Sequence, residues 1–241
     1  MNVSELKIEV NRKNIKNIHL GVYPPEGKIR VAAPQDTTDE KVRLLVTSKM
    51  PWIKKQQKKF LEQPRQSKRE YVTGESHYFL GERYLLNVEH VASNERLEIK
   101  KKHQIDMYVN KTKPIEKRQK MMEDFYRSTL KKQLKLLVKK WEPLIKVEVQ
   151  ETYVRKMKTK WGSSNPKDKR IWLNLELGKQ PVECLEYVVV HEMVHFLEKK
   201  HTAKFFELMN QFLPDWQKYR NMLNCSVLGY FEWNNNAFEI S

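Results

Sequence analysis

The chain of 241 residues has a mass of 29.0 kDa and a formal net charge of +16 at pH 7, and it is long enough to bury a full core as one or two domains. No run of 18 apolar residues occurs, so the sequence excludes a membrane-spanning helix of ordinary length. Two widely separated cysteines exclude a disulfide framework, and the first residues lack the apolar core of a secretory signal, so we expect a cytoplasmic protein.

The N-terminal part of the chain reads mostly as strands. Alternating apolar and polar residues predict seven strands, at 6–12, 18–23, 28–33, 78–80, 83–88, 97–99 and 104–109. A helical pattern covers 38–61, in which Pro51 starts a second helix or kinks the first. We predict a turn at 24–27 and an exposed loop at 64–69.

The middle of the chain carries most of the excess positive charge and reads as one long helix over 115–141. Residues 100–146 contain 15 basic and 5 acidic side chains, a net charge of +10. Apolar residues recur at helical spacing and form one stripe, while lysines and arginines occupy much of the remainder. One interpretation is the solvated face of a packed helix; the other is a contact for nucleic acid or another polyanion.

The C-terminal part combines short strands with helices. Strands are predicted at 147–150, 153–161 and 171–177. An apolar helix follows, with Pro181 suited to its first turn, and further helices are predicted at 202–212 and after Pro214.

The most informative segment is His191-Glu192-Met193-Val194-His195, which lies at the end of that apolar helix. Residues four apart share one helix face, so His191 and His195 can reach a single divalent metal ion. Glu192 stands beside the first ligand, where it can act as a general base toward a water on the metal. The spacing therefore predicts a metal site with a catalytic carboxylate.

The third ligand has four candidates: His201, Glu198, Glu207 and Asp215. Glu198 lies roughly 10 Å along the helix axis from His191, too far to share its ion. His201 follows the predicted helix end, where a chain reversal can return it to the metal, and imidazole suits zinc better than a third oxygen ligand. We therefore predict His201, with Glu207 or Asp215 as alternatives.

A structural zinc site is the competing interpretation of these histidines. Closed structural sites use four protein ligands, mostly cysteine thiolates. The chain has only Cys184 and Cys225, neither of them in a CxxC pair, and no fourth histidine nearby. Three protein ligands leave one position for water, which favours a catalytic Zn²⁺ ion.

Several segments occur in an order that is specific when they are combined: Trp161-Gly162-Ser163-Ser164, 171–177, Pro181, 187–195, 201–206 and Pro214-Asp215-Trp216. This ordered pattern resembles the YgjP-like predicted metal-dependent hydrolases, which are related to SprT-like zinc metallopeptidases. The resemblance also reaches upstream through Trp52-Ile53, Gly74-Glu75 and 78–81. It implies zinc ligation by His191, His195 and His201, with Glu192 as the catalytic residue.

Two positions depart from known patterns. Ser164 stands where the family usually carries cysteine, so any role that depends on a thiol would be lost. The ligand spacing equals that of the metzincins, but Glu198 occupies the position of their glycine, so we do not expect membership of that clan.

The resemblance also suggests where substrate binds. In metallopeptidases of this kind, a sheet edge beside the metal binds substrate backbone by strand addition. Trp161, Gly162 and Ser163 are the candidates for that edge; the alternative is a glycine that eases a bulge under a packed tryptophan. Tyr187 is a candidate oxyanion donor or, alternatively, a core residue.

Together these patterns predict an α+β protein. Residues 1–110 would form a mostly antiparallel, β-rich domain with one helical stretch. Residues 111–241, including the basic helix 115–141, would form a zincin-like metallopeptidase domain with a small sheet. We expect a zinc-dependent peptidase that cleaves a peptide or protein substrate and makes no membrane contact. The alternative is a nucleic-acid-associated protein, either an adaptor with structural zinc or a protease acting on DNA-bound proteins.

Overall fold

Three small sheets and six α-helices make up the part of the chain that the structure, a computed structural model, describes. That part comprises residues 1–23, 27–62, 69–157 and 160–226, apart from the side chains at 59–62 and 225. The mixture confirms the predicted α+β class. None of the helices in these ranges combines the length and apolar character needed to cross a membrane. The predicted turn at 24–27 and loop at 64–69 fall almost wholly outside the described residues.

The chain divides into two units, the first of which contains Met1–Arg65. Its elements are β1 (Asn2–Val3), β2 (Leu6–Lys13), β3 (His19–Tyr23), β4 (Lys28–Pro34), α1 (Asp39–Ser48) and α2 (Met50–Glu62). Apolar side chains on one face of the sheet, such as Ile8 and Val31, are buried with Val46 and Ile53 of the helices. Pro51 lies in the first turn of α2, where its missing N–H costs no helical hydrogen bond, so it starts a second helix.

The second unit contains Gln66–Tyr230. Its strands are β5 (Ser76–Phe79), β6 (Glu82–His90), β7 (Arg96–Lys101), β8 (Gln104–Val109), β9 (Glu151–Arg155), β10 (Gly162–Asn165) and β11 (Arg170–Asn174). Its helices are α3 (Ile115–Ile145), a 3-10 helix (Leu175–Lys179), α4 (Val182–Val194), α5 (Ala203–Phe212) and α6 (Trp216–Cys225).

Helix α3 supplies the centre of the second unit's core. Its apolar stripe is buried as predicted, with Met122, Tyr126, Leu130 and Leu134 at most 3% exposed. The helix continues four residues beyond the predicted end at Trp141, since Pro143 removes only one hydrogen bond near the terminus. Strands β8 and β11 and helix α4 contribute to the same buried cluster.

The predicted boundary between residues 110 and 111 differs from the observed division. Ile105 and Met107 of β8 are fully buried and belong to the same cluster as Met122 and Tyr126 of α3. The sheet that contains β8 therefore groups with the C-terminal unit, because the buried stripe of α3 packs in the same core.

Each of the three sheets contains both parallel and antiparallel strand pairs, which the alternation of apolar and polar residues in the sequence does not predict. Their strand orders are β1-β2-β4-β3, β5-β6-β8-β7 and β10-β11-β9. Each contains one parallel pair, β2 with β4, β6 with β8 and β9 with β11, and its remaining pairs are antiparallel. Antiparallel pairs outnumber parallel ones in residues 1–110, and a parallel pair lies at the centre of each of the two sheets there.

The strand predicted at 147–150 is wrong. The N–H of Val149 donates to the Glu142 carboxylate (2.9 Å), and the N–H of Gln150 donates to the carbonyl of Lys169 (2.8 Å). Because these donors bond to a side chain and a turn, the segment forms no ladder. The strand predicted at 153–161 is also displaced, since β9 ends at Arg155 and β10 begins at Gly162.

The buried stripe of α3 predicts a clear difference between two leucines on that helix. Leu134 is 1% exposed and Leu136 is 63% exposed. We expect Leu134→Ala to lower the free energy of unfolding by about 3 kcal/mol, because it removes buried methyl groups and leaves a cavity. Leu136→Ala is the matched control and should change it by less than about 0.5 kcal/mol. Urea unfolding followed by circular dichroism measures both; equal losses would contradict the assignment of the buried face.

Candidate metal centre

Helix α4 presents the predicted motif from inside the core. Its first turn follows Pro181, and it runs to Val194, with His195 as the C-cap residue. Side chains around the whole helix are buried, including Leu185, Val189 and Met193, so it has no wide polar face. The motif histidines therefore lie where a buried helix reaches a cavity.

The three predicted histidines converge on one point. The Nε2 atom of His191 lies 3.2 Å from Nε2 of His195 and 3.1 Å from Nε2 of His201. After α4 the chain turns back, and His201 stands just before Thr202, whose hydroxyl caps α5 by accepting from the N–H of Phe205. Among the described residues, these histidines form the only group able to hold a metal ion, their ligand atoms all lying within 4.8 Å of one another.

The other three candidates for a third ligand are absent from that group. The carboxylates of Glu198, Glu207 and Asp215 do not lie close enough to join the histidines in the described part of the chain. Glu198 contributes through its backbone instead, since its carbonyl oxygen lies 3.1 Å from Nδ1 of His195. Because a carbonyl only accepts, this contact places the hydrogen on Nδ1 and leaves the lone pair of Nε2 free for a metal.

Burial favours the neutral form of His191 and of His195. It lowers the pKa of His191 to about 3, with smaller contributions in the same direction from His195, His201 and Arg220. Burial also lowers the pKa of His195, against the opposing effect of its hydrogen bond to the carbonyl of Glu198. Neutral imidazole is the form that binds metal ions.

A phenylalanine packs against all three rings. The centroid of Phe205 lies 4.9 Å from that of His191 and 4.7 Å from those of His195 and His201. Phe205 is 1% exposed, so it supports the rings from within the core. Phe205 is not among the site residues predicted from the sequence. Its position four residues after the third histidine, near the start of α5, is the feature that could have indicated this contact.

The predicted catalytic carboxylate lies beside β10. Glu192 is 5% exposed, and the hydroxyl of Ser164 donates a hydrogen bond to its Oε2 atom at 2.8 Å. Burial raises the pKa of Glu192 to about 7, although the Ser164 hydrogen bond and the charge of Lys160 act to lower it. The sequence alone does not predict this hydrogen bond, because Ser164 stands out there only as a departure from a family pattern.

Strand β10 approaches α4 closely because residue 162 is glycine. A Cβ atom there would stand 2.7 Å from Oε1 of Glu192 and 2.7 Å from a methyl group of Val188. Neither neighbour has room for it. Gly162 is therefore explained by the approach of strand to helix, and no bulge interrupts its pairing with Leu173.

The sequence-predicted residues Trp161, Gly162 and Ser163 line the same cavity as the histidines and Glu192, a space of about 530 Å³. Trp161 accepts a hydrogen bond from the N–H of Asn174, so Trp161 and Ser163 direct their backbone groups toward β11. The N–H and C=O groups of Gly162 and Ser164 then face the other edge of β10. No other described strand pairs with that edge of β10, which we call the open edge.

Tyr187 fits both interpretations of its role. It packs edge-on against His191 and stacks on Trp216, as a core residue does, with ring centroids 5.8 Å and 6.4 Å away. It also lines the cavity, and burial raises its pKa to about 12, so the hydroxyl keeps its proton at neutral pH.

The convergent histidines and the buried glutamate can be compared with known proteins. No curated protein matches the chain. Similar solved structures include the metallopeptidase zymogen of Pyrococcus abyssi abylysin, with 15% identity and a TM-score of 0.35 over 37% of this chain and 90% of that chain. Another is the metallopeptidase zymogen of Methanocaldococcus jannaschii jannalysin, with 23% identity and a TM-score of 0.35 over 38% of this chain and 87% of that chain. The family model described as "YgjP-like, metallopeptidase domain" matches residues 16–226, nearly the whole length, and the chain belongs to that family.

Proposed function

We propose that the protein is a zinc-dependent metallopeptidase in which His191, His195 and His201 bind the metal and Glu192 is the general base. The observation that carries the proposal is the convergence of three imidazole nitrogens at 3.1 and 3.2 Å beside a buried carboxylate. Nitrogen atoms on a tetrahedral zinc ion, each about 2.0–2.1 Å from the metal, stand roughly 3.3–3.4 Å apart. The two separations from His191 are close to that value, and the ligand atoms of all three histidines lie within 4.8 Å of one another.

The donor set supports a catalytic rather than a structural ion. Three imidazole ligands leave one of four positions for water, and the only described free cysteine, Cys184, is buried in the core. When bound, zinc would supply Lewis acidity, which lowers the pKa of water and polarises a carbonyl group. Glu192 would take a proton from the attacking water and then deliver it to the leaving nitrogen.

The open edge of β10 supports a peptide as substrate. Gly162 and Ser164 offer N–H and C=O groups at that edge, and an extended peptide can pair with them as an added strand. The same two residues line the cavity that holds Glu192. A paired peptide would thus run past the carboxylate with its backbone amides in a fixed register.

A second proposal concerns the basic face of α3, defined here as Lys131, Lys135 and Lys139. These exposed lysines follow one another at four-residue spacing, so they lie in one row on the helix. Between Asp124 and Glu142 the helix carries no acidic residue. We propose that this face contacts the phosphate backbone of nucleic acid.

The pairing of nearby side chains supports this second proposal. Lys140 is ion-paired with Glu186, whereas no ion pair holds the basic face among the described residues. Like charges four apart destabilise a helix by about 0.2–0.5 kcal/mol per pair, a cost that a bound polyanion would remove. The contact would be through charge, with little preference for base sequence.

Replacing the general base should abolish turnover without releasing the metal. We expect Glu192→Gln to lower kcat roughly 10²- to 10⁴-fold, because the amide cannot accept the proton, while one zinc ion stays bound. Hydrolysis of a mixture of quenched fluorescent peptides and zinc analysis of the purified protein measure the two effects. Glu183→Gln, exposed on the same helix, is the control. Unchanged turnover in Glu192→Gln would rule out the general-base role.

Removal of the third ligand should weaken metal binding. We expect His201→Ala to reduce zinc affinity roughly 100-fold or more, and to shrink the rise in melting temperature that zinc gives the metal-free protein. Competition with a fluorescent chelator measures the affinity. His103→Ala, an exposed histidine remote from the motif in sequence, should leave both quantities unchanged. Unchanged zinc affinity in His201→Ala would show that another residue is the third ligand.

Neutralising the basic face should reduce the salt dependence of DNA binding. We expect the triple change of Lys131, Lys135 and Lys139 to glutamine to lower the slope of log affinity against log salt by roughly 2 to 3, because fewer counterions are released. Fluorescence anisotropy with a labelled DNA duplex measures it.

The control for that experiment is a triple change of equal charge in the first unit, at Lys41, Lys54 and Lys55, which are also exposed. An equal loss of slope in both variants would show that net charge, not the basic face of α3, attracts the duplex. Absence of any binding by the parent protein would exclude the second proposal.

A further inference from the structure

We propose that Ser164 is a positioning residue: its hydroxyl holds one oxygen of Glu192 so that the other is aimed for proton transfer. This inference rests on the proposed function, because it assigns a partner to the general base. It goes beyond the motif, since Ser164 belongs to β10 and is 28 residues away from Glu192 in sequence.

The pairing of β10 explains why Ser164 points at the helix. Side chains alternate along a strand, so Gly162 and Ser164 share one face and Ser163 and Asn165 share the other. The face of Gly162 lies against α4, as the close approach to Val188 shows. Ser164 therefore reaches Glu192 from the strand without any change of backbone direction.

The burial of Glu192 makes this hydrogen bond necessary. Among the described residues, Ser164 is the only one whose side chain donates to the carboxylate, which is 5% exposed. A buried carboxylate without a donor is costly, and a glutamate side chain has several rotatable bonds. With Oε2 held by Ser164, the orientation of Oε1 is also fixed.

Glycine at position 162 leaves room for the second oxygen. A Cβ atom there would stand 2.7 Å from Oε1 of Glu192, the oxygen that Ser164 does not hold. The strand thus contributes two complementary features, a donor to one oxygen and free space beside the other.

A hydroxyl is also suited to both protonation states of the base. It donates to the carboxylate before proton transfer and can rotate to accept from the carboxylic acid afterwards. A thiol donates only weakly and a methyl group not at all. The order of activity among variants at position 164 should therefore follow hydrogen-bonding capacity rather than size.

The first test compares variants of Ser164 by kcat and KM. We expect Ser164→Ala to lower kcat roughly 10- to 100-fold, the effect of losing a hydrogen bond to a charged group, with KM and zinc affinity within about twofold of the parent. Ser164→Thr, which keeps the hydroxyl, should restore most of kcat, and Ser164→Cys should fall between. Ser48→Ala, exposed in α1, controls for loss of a serine hydroxyl elsewhere.

A kinetic double-mutant cycle separates positioning from a general structural effect. In the Glu192→Gln background, Ser164→Ala should cost little further activity, because the base it positions is already gone. Equal losses in the two backgrounds, or a KM effect without a kcat effect, would overturn the positioning role.

A stability cycle on the metal-free protein gives a readout that does not depend on catalysis. Ser164→Ala should lower the urea midpoint of the parent more than that of Glu192→Ala, where no buried carboxylate needs a donor. Equal shifts would overturn the inference even in an active enzyme. If the parent hydrolyses no peptide but the coupling is present, the proposed function fails while the Ser164–Glu192 contact stands.

Discussion

The convergence of three imidazole nitrogens is the constraint on which the rest of the site depends. Nε2 of His191 lies 3.2 Å from Nε2 of His195 and 3.1 Å from Nε2 of His201, and contacts from outside the rings support this arrangement. Phe205 packs against all three rings, and the carbonyl of Glu198 orients His195. A cation between the nitrogens would be coordinated by rings that are already held in place, so a site of this kind gains stability when metal binds.

The same burial that supports the site also sets its electrostatics. Helix α4 is enclosed by α3, by the sheet of β9, β10 and β11, and by α5 and α6. Both His191 and Glu192 are therefore shielded from solvent. Desolvation disfavours charge on either group, which lowers the pKa of the histidine and raises that of the glutamate. The lowered pKa of His191 and the raised pKa of Glu192 thus have one physical cause. The long apolar stripe of α3 offsets the cost by burying large side chains such as Leu134 and Trp141.

Local periodicity accounts for what the sequence predicted well. Helical spacing alone places His191 and His195 on one face, and it identifies the buried stripe of α3 from Met122 onward. Local periodicity does not predict contacts between segments that are distant in sequence. The hydrogen bond from Ser164 joins residues 28 apart, and the pairing of β9 with β11 is parallel, so no turn marks it. The packing of β8 with α3 was equally beyond local patterns, because only tertiary contacts bring these two elements into one buried cluster.

The two-residue repeat of β10 determines both what lies beside Glu192 and what the open edge offers. Along β10, the direction of the side chain and the direction of the backbone N–H and C=O groups both repeat every two residues. At positions 162 and 164 the side-chain direction is therefore toward Glu192, and the backbone N–H and C=O groups point to the open edge. In the proposed mechanism, a peptide added to that edge is therefore in fixed register with the carboxylate. A slip of one residue would turn Ser163 and Asn165 toward α4, and it would remove the hydroxyl and the space beside Glu192 together. In that mechanism, strand geometry alone would couple substrate binding to the positioning of Glu192.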